Sequence, residues 1–386
     1  MSYRIPFNRP CLAGNEYKYI ADAIANGHAS GDGPFTRRCH EFLERELKAP
    51  RALLTTSCTH ALEMAALLLE CGPEDEVIVP SFTFVSTANA FALRGARLVF
   101  ADVRPDTLNL DERLVESLIT PRTKAIVVVH YAGVPCEMDT ILAIAARRGV
   151  RVVEDNAHAL FARYKGSYTG TLGCLAAQSF HETKNFTCGE GGALMVNDPE
   201  FVERALVIRE KGTDRSRFFR GEVDKYTWVG LGSSYLPSDL LAAFLLAQFE
   251  ARETVQEKRR RIWHRYYESL SGWAESNDVR MPVIPADCEQ AYHMFYLLLP
   301  SREDRDALIS LLKSESILSV FHYTPLHLSA AAKKYAAHSS SCPVTEDVSE
   351  RLLRLPFYTD LSRDEQEHVT STVMRFRFRS SIPQAS

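Results

Sequence analysis

The chain has 386 residues, 46% of them hydrophobic and 24% charged, with a formal net charge of −4. That composition supplies ample core for two or three domains' worth of globular sequence, and its mild acidity excludes general binding to nucleic acid or to an anionic membrane. Nine scattered cysteines, with no Cys-x-x-Cys pair and no zinc-type Cys/His spacing, argue against a disulfide frame or a metal site.

The N-terminal MSYRIPFNRP has no apolar signal core. From about residue 50 to about residue 200, short apolar runs alternate with helical patterns. The runs are ALLTTS (52–57), EVIVPS (76–81), ARLVFAD (96–102), AIVVVH (125–130), VRVVED (150–155) and GALMVND (192–198). Runs that are apolar at every residue suit a parallel sheet covered on both faces. Helices are expected at 60–70, at 138–148 with Gly149 as C-cap, and at 200–211 ending at Gly212. The alternation predicts an α/β domain. A long helical region, 238–270, leads away from it; its apolar stretch around 240–249 is interrupted by Gln248 and too short to span a bilayer. A strand at 291–299, a helix at 305–312, a strand at 318–323 and a helix at 364–374 then predict a smaller α/β or α+β domain. The expected division is 1–250, including the N-terminal segment, and 251–386. SSIPQAS at the end reads as a loose tail. Cysteine usage and the absence of a leader predict a reducing cytoplasm.

In an open α/β sheet, ligands gather at the carboxyl ends of the strands. Ser57-Cys58-Thr59 stands there at a helix start. It reads either as a plain N-cap or as an anion site of hydroxyls, free N–H groups and helix dipole. Phe84 is either core or a surface for stacking a flat ring. His130 and His158 read as structural histidines or as titrating groups. Asp155 is a capping carboxylate, or an acid that holds a heterocyclic nitrogen protonated. Ser179 precedes Lys184, which lies between a strand and the GEGG turn (189–192). A desolvated amine there would be a nucleophile toward aldehydes, and a solvated one only a loop lysine. Phosphate anchor, stacking aromatic, acid and lysine in that order form the set that a pyridoxal-phosphate enzyme requires.

The blocks PSFTFVSTANAFALRGARLVFADV, VHYAGVPCEMD, VVEDNAHA, SFHETKNFTCGEGGALMVND and FHYTPLH resemble the DegT/DnrJ/EryC1/StrS sugar aminotransferases. The resemblance runs nearly end to end. It implies an α/β fold of pyridoxal-phosphate transferase type I, like aspartate aminotransferase: a large domain on a mostly parallel sheet and a smaller C-terminal domain. It implies pyridoxal 5′-phosphate as cofactor, cycling through pyridoxamine phosphate, and no metal. Lys184 then carries the cofactor and moves the proton, Asp155 pairs with the pyridine nitrogen, and His158 lies near the phenolate oxygen. Phe84 stacks on the ring, while Ser179 and the Ser57-Cys58-Thr59 turn cradle the phosphate. Ser234 belongs to a segment that reaches the neighbouring subunit's cofactor, although many relatives carry Asn there. Asn156 and Pro237 also depart from the usual pattern. His322, Tyr323 and His327 fall in the sugar-binding neighbourhood.

The implied partners are a nucleotide-linked sugar and L-glutamate, in a homodimer or larger homo-oligomer with shared sites. The branch resembled (GDGPFTRRC, SCTHALEMAALLLE, FFRGEVDKYTW) implies dTDP-4-keto-6-deoxy-D-glucose as acceptor. Rival readings fit less well. A sugar dehydratase of this fold carries His in place of Lys184. A nucleotide-sugar oxidoreductase needs G-x-G-x-x-G between strand and helix, whereas GEGG precedes a strand. A cofactor-sensing regulator needs an added DNA-binding domain.

Overall fold

A computed structural model of the chain describes residues 3–378; the expected tail at 380–386 lies outside them. Seven strands form the central sheet: β1 (Arg51–Thr55), β2 (Glu76–Pro80), β3 (Arg97–Ala101), β4 (Thr123–Val129), β5 (Arg151–Asp155), β6 (Leu175–Ser179) and β7 (Gly192–Val196). Their spatial order is β1-β7-β6-β5-β4-β2-β3. Only β7 runs against the rest; it pairs antiparallel with β1 and β6, and the other neighbours pair parallel.

Alternate residues of each strand feed opposite faces. Leu53, Val77, Val79, Val127 and Leu194 pack in one cluster with the helices Cys58–Leu68 and Val202–Arg209. Leu54 and Met195 face the other way, onto the helices Pro34–Leu47 and Asp239–Glu250. Ile78, Ile126 and Val128 meet the helix Met138–Arg148, which ends at Gly149 in the left-handed conformation. With both faces covered, β2, β6 and β7 are buried at every position, which is why 76–81 and 192–198 read as apolar runs and not as alternating ones.

The predicted helical region 238–270 is two helices. Asp239–Glu250 ends and Arg252–Ser276 begins at Ala251, whose φ of −95° and ψ of 12° break the helix. The first packs on the sheet, whereas the second, through Ile262, Trp263, Tyr266 and Leu270, enters a separate C-terminal core. That core surrounds a two-stranded antiparallel ladder, β8 (Tyr296–Leu298) and β9 (Leu352–Arg354). Helices Arg302–Ser314 and Arg363–Met374 cover it, each capped by a serine (Ser301, Ser362). Ile5 joins the same core and bridges to Ile317, so the N-terminal segment crosses to the C-terminal cluster. The predicted strand 291–299 narrows to β8. The predicted strand 318–323 is not one: Ile317 pairs with Ile5 and Val320 with Arg354 in isolated bridges. Contacts with two different partners leave no continuous ladder.

Candidate active site

The β6–β7 hairpin builds the cleft. Because β7 lies between β1 and β6, Gly192 is opposite both Thr55 and Ser179. The turn after β1 and the end of β6 therefore flank one glycine. A Cβ at Gly192 would stand 2.4 Å from the Cys58 nitrogen and 2.4 Å from the Ser57 carbonyl carbon. Only glycine lets β7 approach the helix start. Lys184 lies in the connection between β6 and β7, over the sheet's carboxyl end.

Ser57, Cys58, Thr59, Phe84, Asp155, His158, Ser179, Lys184, His322 and Tyr323 all line one cleft of about 310 Å³. Ser57 caps the helix Cys58–Leu68: its Oγ accepts the His60 N–H at 3.1 Å. The capping reading of this turn is thus realised, and Ser57, Cys58 and Thr59 also line the cleft. Thr59 Oγ1 donates to Ser86 Oγ at 2.8 Å. Phe84 is 58% exposed, so it is not core; it stands at the mouth of the cleft as a free aromatic face.

Asp155 ends β5 and is buried. Its Oδ2 accepts from Thr87 Oγ1 at 2.7 Å and its Oδ1 from the Ala157 N–H at 3.2 Å. Thr87 in turn receives the Thr83 hydroxyl at 2.9 Å. Burial raises the Asp155 carboxyl, and these donors together with the Lys184 charge oppose that rise. Lys184 is half-buried. Loss of solvent lowers its amine from 10.5 to about 8, against the pull of Cys58 and Asp155, with Arg354 adding to the fall. A solvated loop lysine would not behave so. His158 is neutral, held well below the usual histidine range by burial. Its ring stacks on His293 at 4.3 Å, and its buried Nδ1 has no partner.

His322 stacks on Tyr323 at 3.7 Å, and its Nδ1 lies 3.2 Å from the Tyr131 hydroxyl. Two predicted residues lie elsewhere. His327 does not line the cleft; its Nδ1 lies 2.7 Å from Ser81 Oγ and its Nε2 3.1 Å from Glu346. Ser234 is exposed and bridges to Glu210. His130 is structural: its Nδ1 accepts the Cys136 N–H at 3.0 Å, so its Nε2–H donates to Glu154 at 2.9 Å.

Sequence reasoning missed Ser86, Thr87, His293 and Arg354. Ser86 and Thr87 follow Phe84 in the first turn of the helix Val85–Ala92, and helical spacing could have found them. Arg354 ends β9, opposite Tyr296 of β8, and that pairing, which the sequence does not display, brings it to the cleft. Nothing local marks His293.

The fold is that of the α/β aminotransferases. Aminotransferase TlmJ from Streptoalloteichus hindustanus superposes with a TM-score of 0.88 at 33% identity, over 96% of this chain and 98% of that one. Spr1654 from Streptococcus pneumoniae, in its PLP-form, superposes with a TM-score of 0.88 at 27% identity, over 96% and 97%. The chain belongs to the DegT/DnrJ/EryC1/StrS aminotransferase family, which it matches over residues 10–374. It is also 32% identical over 377 residues to the spore coat polysaccharide biosynthesis protein SpsC of Bacillus subtilis, covering 96% of each. The protein is an aminotransferase by membership and fold.

Proposed function

We propose that this aminotransferase uses pyridoxal 5′-phosphate to place an amine on the keto carbon of a nucleotide-linked 4-keto-6-deoxyhexose, dTDP-4-keto-6-deoxy-D-glucose, with L-glutamate as donor. The observation that carries the reading is one cleft holding both the Lys184 amine, lowered to about 8, and the buried carboxylate of Asp155. The donor set fits the cofactor. Asp155, fixed by Thr87 and the Ala157 N–H, would accept the ring N–H. Phe84 offers the stacking face. Thr59, Ser179, the helix start at Ser57 and the glycine backbone at 191–192 would receive the phosphate. His158, neutral and with a nitrogen unpartnered, would be free to meet the ring oxygen. The PLP-form of Spr1654 supports the cofactor, and the naming of SpsC for polysaccharide biosynthesis supports a sugar acceptor.

Bound pyridoxal phosphate supplies an aldehyde for the amine and an electron-withdrawing ring. The chain supplies the rest. Lys184 Nζ, its amine lowered to about 8, would take the proton from the donor's α-carbon and hold it for return. Asp155, which Thr87 and the Ala157 N–H hold in place, would present its carboxylate to the ring nitrogen of the bound cofactor. With the sugar the same two residues act in reverse order, so the substrates alternate in one cleft and ping-pong kinetics follow. His322 and Tyr323 face the sugar, and His327, bonded to Ser81 and Glu346, positions their segment.

We read the chain as a large domain (1–250) and a small one (251–386), with the Ile5 segment strapped across. We read the assembly as a homodimer that brings Ser234 to the partner's cleft. Exposed Phe219, Trp228 and Leu231 on the nearby segment support such an interface. Nine free cysteines agree with a cytoplasmic setting, and no helix among the described residues is long and apolar enough to cross a membrane. The test is incubation with L-glutamate and a panel of nucleotide keto-sugars, read by NMR. Equal amounts of 2-oxoglutarate and a 4-amino sugar are expected, with ring couplings assigning the product's configuration. A deoxygenated product, or no amine on any sugar, would sink the reading.

A further inference from the structure

We infer that His293 is the positioning residue for the Lys184 amine: through Asn185, the next residue along the chain from the lysine, it ties that amine's backbone to the C-terminal core. The inference rests on the aminotransferase reading above. His293 stands in the turn 291–293 that leads into β8, is buried, and lines the same cleft as Lys184.

The turn is built under constraint. Tyr292 takes a φ of 52°, in the left-handed region, where a bulky aromatic residue is strained. Such strain persists only where the surrounding contacts impose it. Arg259 of the helix Arg252–Ser276 supplies two of them: its Nε donates to Tyr292 O at 3.0 Å and its Nη2 to His293 O at 2.6 Å. From the other side, the Ala291 N–H donates to Gly133 O at 2.9 Å, in the segment that follows β4.

This frame offers Asn185 two hydrogen bonds. Asn185 Nδ2 donates to Ala291 O at 2.6 Å, and a carbonyl only accepts, so the amide's orientation is settled and its Oδ1 faces His293. Oδ1 lies 2.9 Å from His293 Nδ1, which must therefore carry the hydrogen. Burial keeps this ring neutral, so its Nε2 is bare. One ring face stacks on His158 at 4.3 Å. Asn185 itself is buried, with both ends of its amide spent on this turn. Glu182 and Thr183, on the other side of Lys184, are exposed. The buried hold on the lysine's backbone thus comes from the side of Asn185.

Packing alone would ask only for bulk at position 293; positioning asks for the Nδ1–H. Without that donor, Asn185 Oδ1 becomes a buried acceptor with no partner, and the cost falls on the residue bonded to Lys184. A reacting group displaced by about 1 Å can lose about 100-fold in rate.

Three replacements separate the donor from the bulk. His293→Asn puts an N–H on Cγ, where histidine carries Nδ1. His293→Gln puts it one bond further out, and His293→Phe keeps a ring for His158 with no donor. Because His293 is neutral, none of them changes the charge beside Lys184, so a shift in the lysine's titration reports its position. In cofactor-free full-length protein the acylation of Lys184 should have its midpoint near 8. His293→Gln and His293→Phe should raise it by about one unit or more as the amine gains solvent, and His293→Asn should bring it back toward 8. In cofactor-loaded enzyme the first two should lower kcat about 10-fold or more and leave the donor's KM within about 3-fold. Nitrogen NMR of the imidazole rings, with His293→Asn assigning the resonance, should show the unmodified His293 as a neutral ring with its hydrogen on Nδ1; this reading stands even if His293→Phe does not fold. A midpoint that stays or falls in His293→Gln and His293→Phe, a His293→Asn protein no better than His293→Gln, or a hydrogen on Nε2 would overturn the inference. A loaded, unmodified enzyme whose spectrum responds to no donor and no sugar would refute the function instead; the titration and the tautomer, which need no substrate, would still decide the tie between His293 and Lys184.

Discussion

Lys184 should titrate near pH 8 in the cofactor-free protein, and Asp155→Asn should move that titration lower. A fall from the ordinary 10.5 to about 8 raises the neutral fraction at pH 7.5 from ~0.1% to ~25%. The same fall means that folding with a charged amine costs about 3 kcal/mol. The cost is fully present below pH 8. Between pH 8 and 10.5 the unfolded chain holds the proton more tightly than the folded one, so stability rises with pH across that window and levels off above it. Asp155 pulls the amine upward, so amidation of that acid removes a stabiliser of the cation. The assay is the rate of acylation of Lys184 by an amine-selective reagent, read by peptide mass spectrometry from pH 6 to 11. A midpoint near 10.5, or one that Asp155→Asn leaves in place or raises, would show that the two groups do not share a desolvated site.

Other consequences follow from the same geometry. Phe84→Ala removes a face that is free of core packing, so it should cost about 1 kcal/mol of cofactor affinity, roughly 5-fold, with little change in melting temperature; equilibrium dialysis against pyridoxal phosphate measures it. Gly192→Ala drives a methyl into backbone at 2.4 Å, and should lower both stability and cofactor uptake, measured by thermal melting with and without cofactor. Glu154 accepts from the N–H groups of Gly170, Leu172 and Gly173, each at 2.7 Å, and from His130. Glu154→Gln turns an amide toward these donors and should cost about 3 kcal/mol of stability by denaturant titration.

What was legible in the sequence follows from what each signal depends on. The strands showed because both faces of the sheet are covered, which makes runs such as AIVVV apolar without interruption. Lys184, Asp155, Ser57 and Ser179 showed because strand ends are where chain order and spatial neighbourhood coincide. Phe84 could not be told from core until its exposure was seen. The break at Ala251 was hidden because it contains neither Pro nor Gly and arises from one helix packing on the sheet and the next in the C-terminal core. The 318–323 segment looked like a strand because Leu318, Val320, Phe321 and Tyr323 make it apolar and aromatic, but its two backbone partners come from opposite ends of the chain. Arg354 was hidden for the same reason: the pairing of β9 with β8 brings it to the cleft, and register is a property of the folded pair.

Borohydride reduction of the pyridoxal-phosphate-loaded protein, followed by peptide mapping, tests the central claim most directly. A single pyridoxyl group on Lys184 is the predicted result, with none on Lys184→Ala. A label on another lysine, or turnover in Lys184→Ala as fast as in the unmodified enzyme, would contradict it.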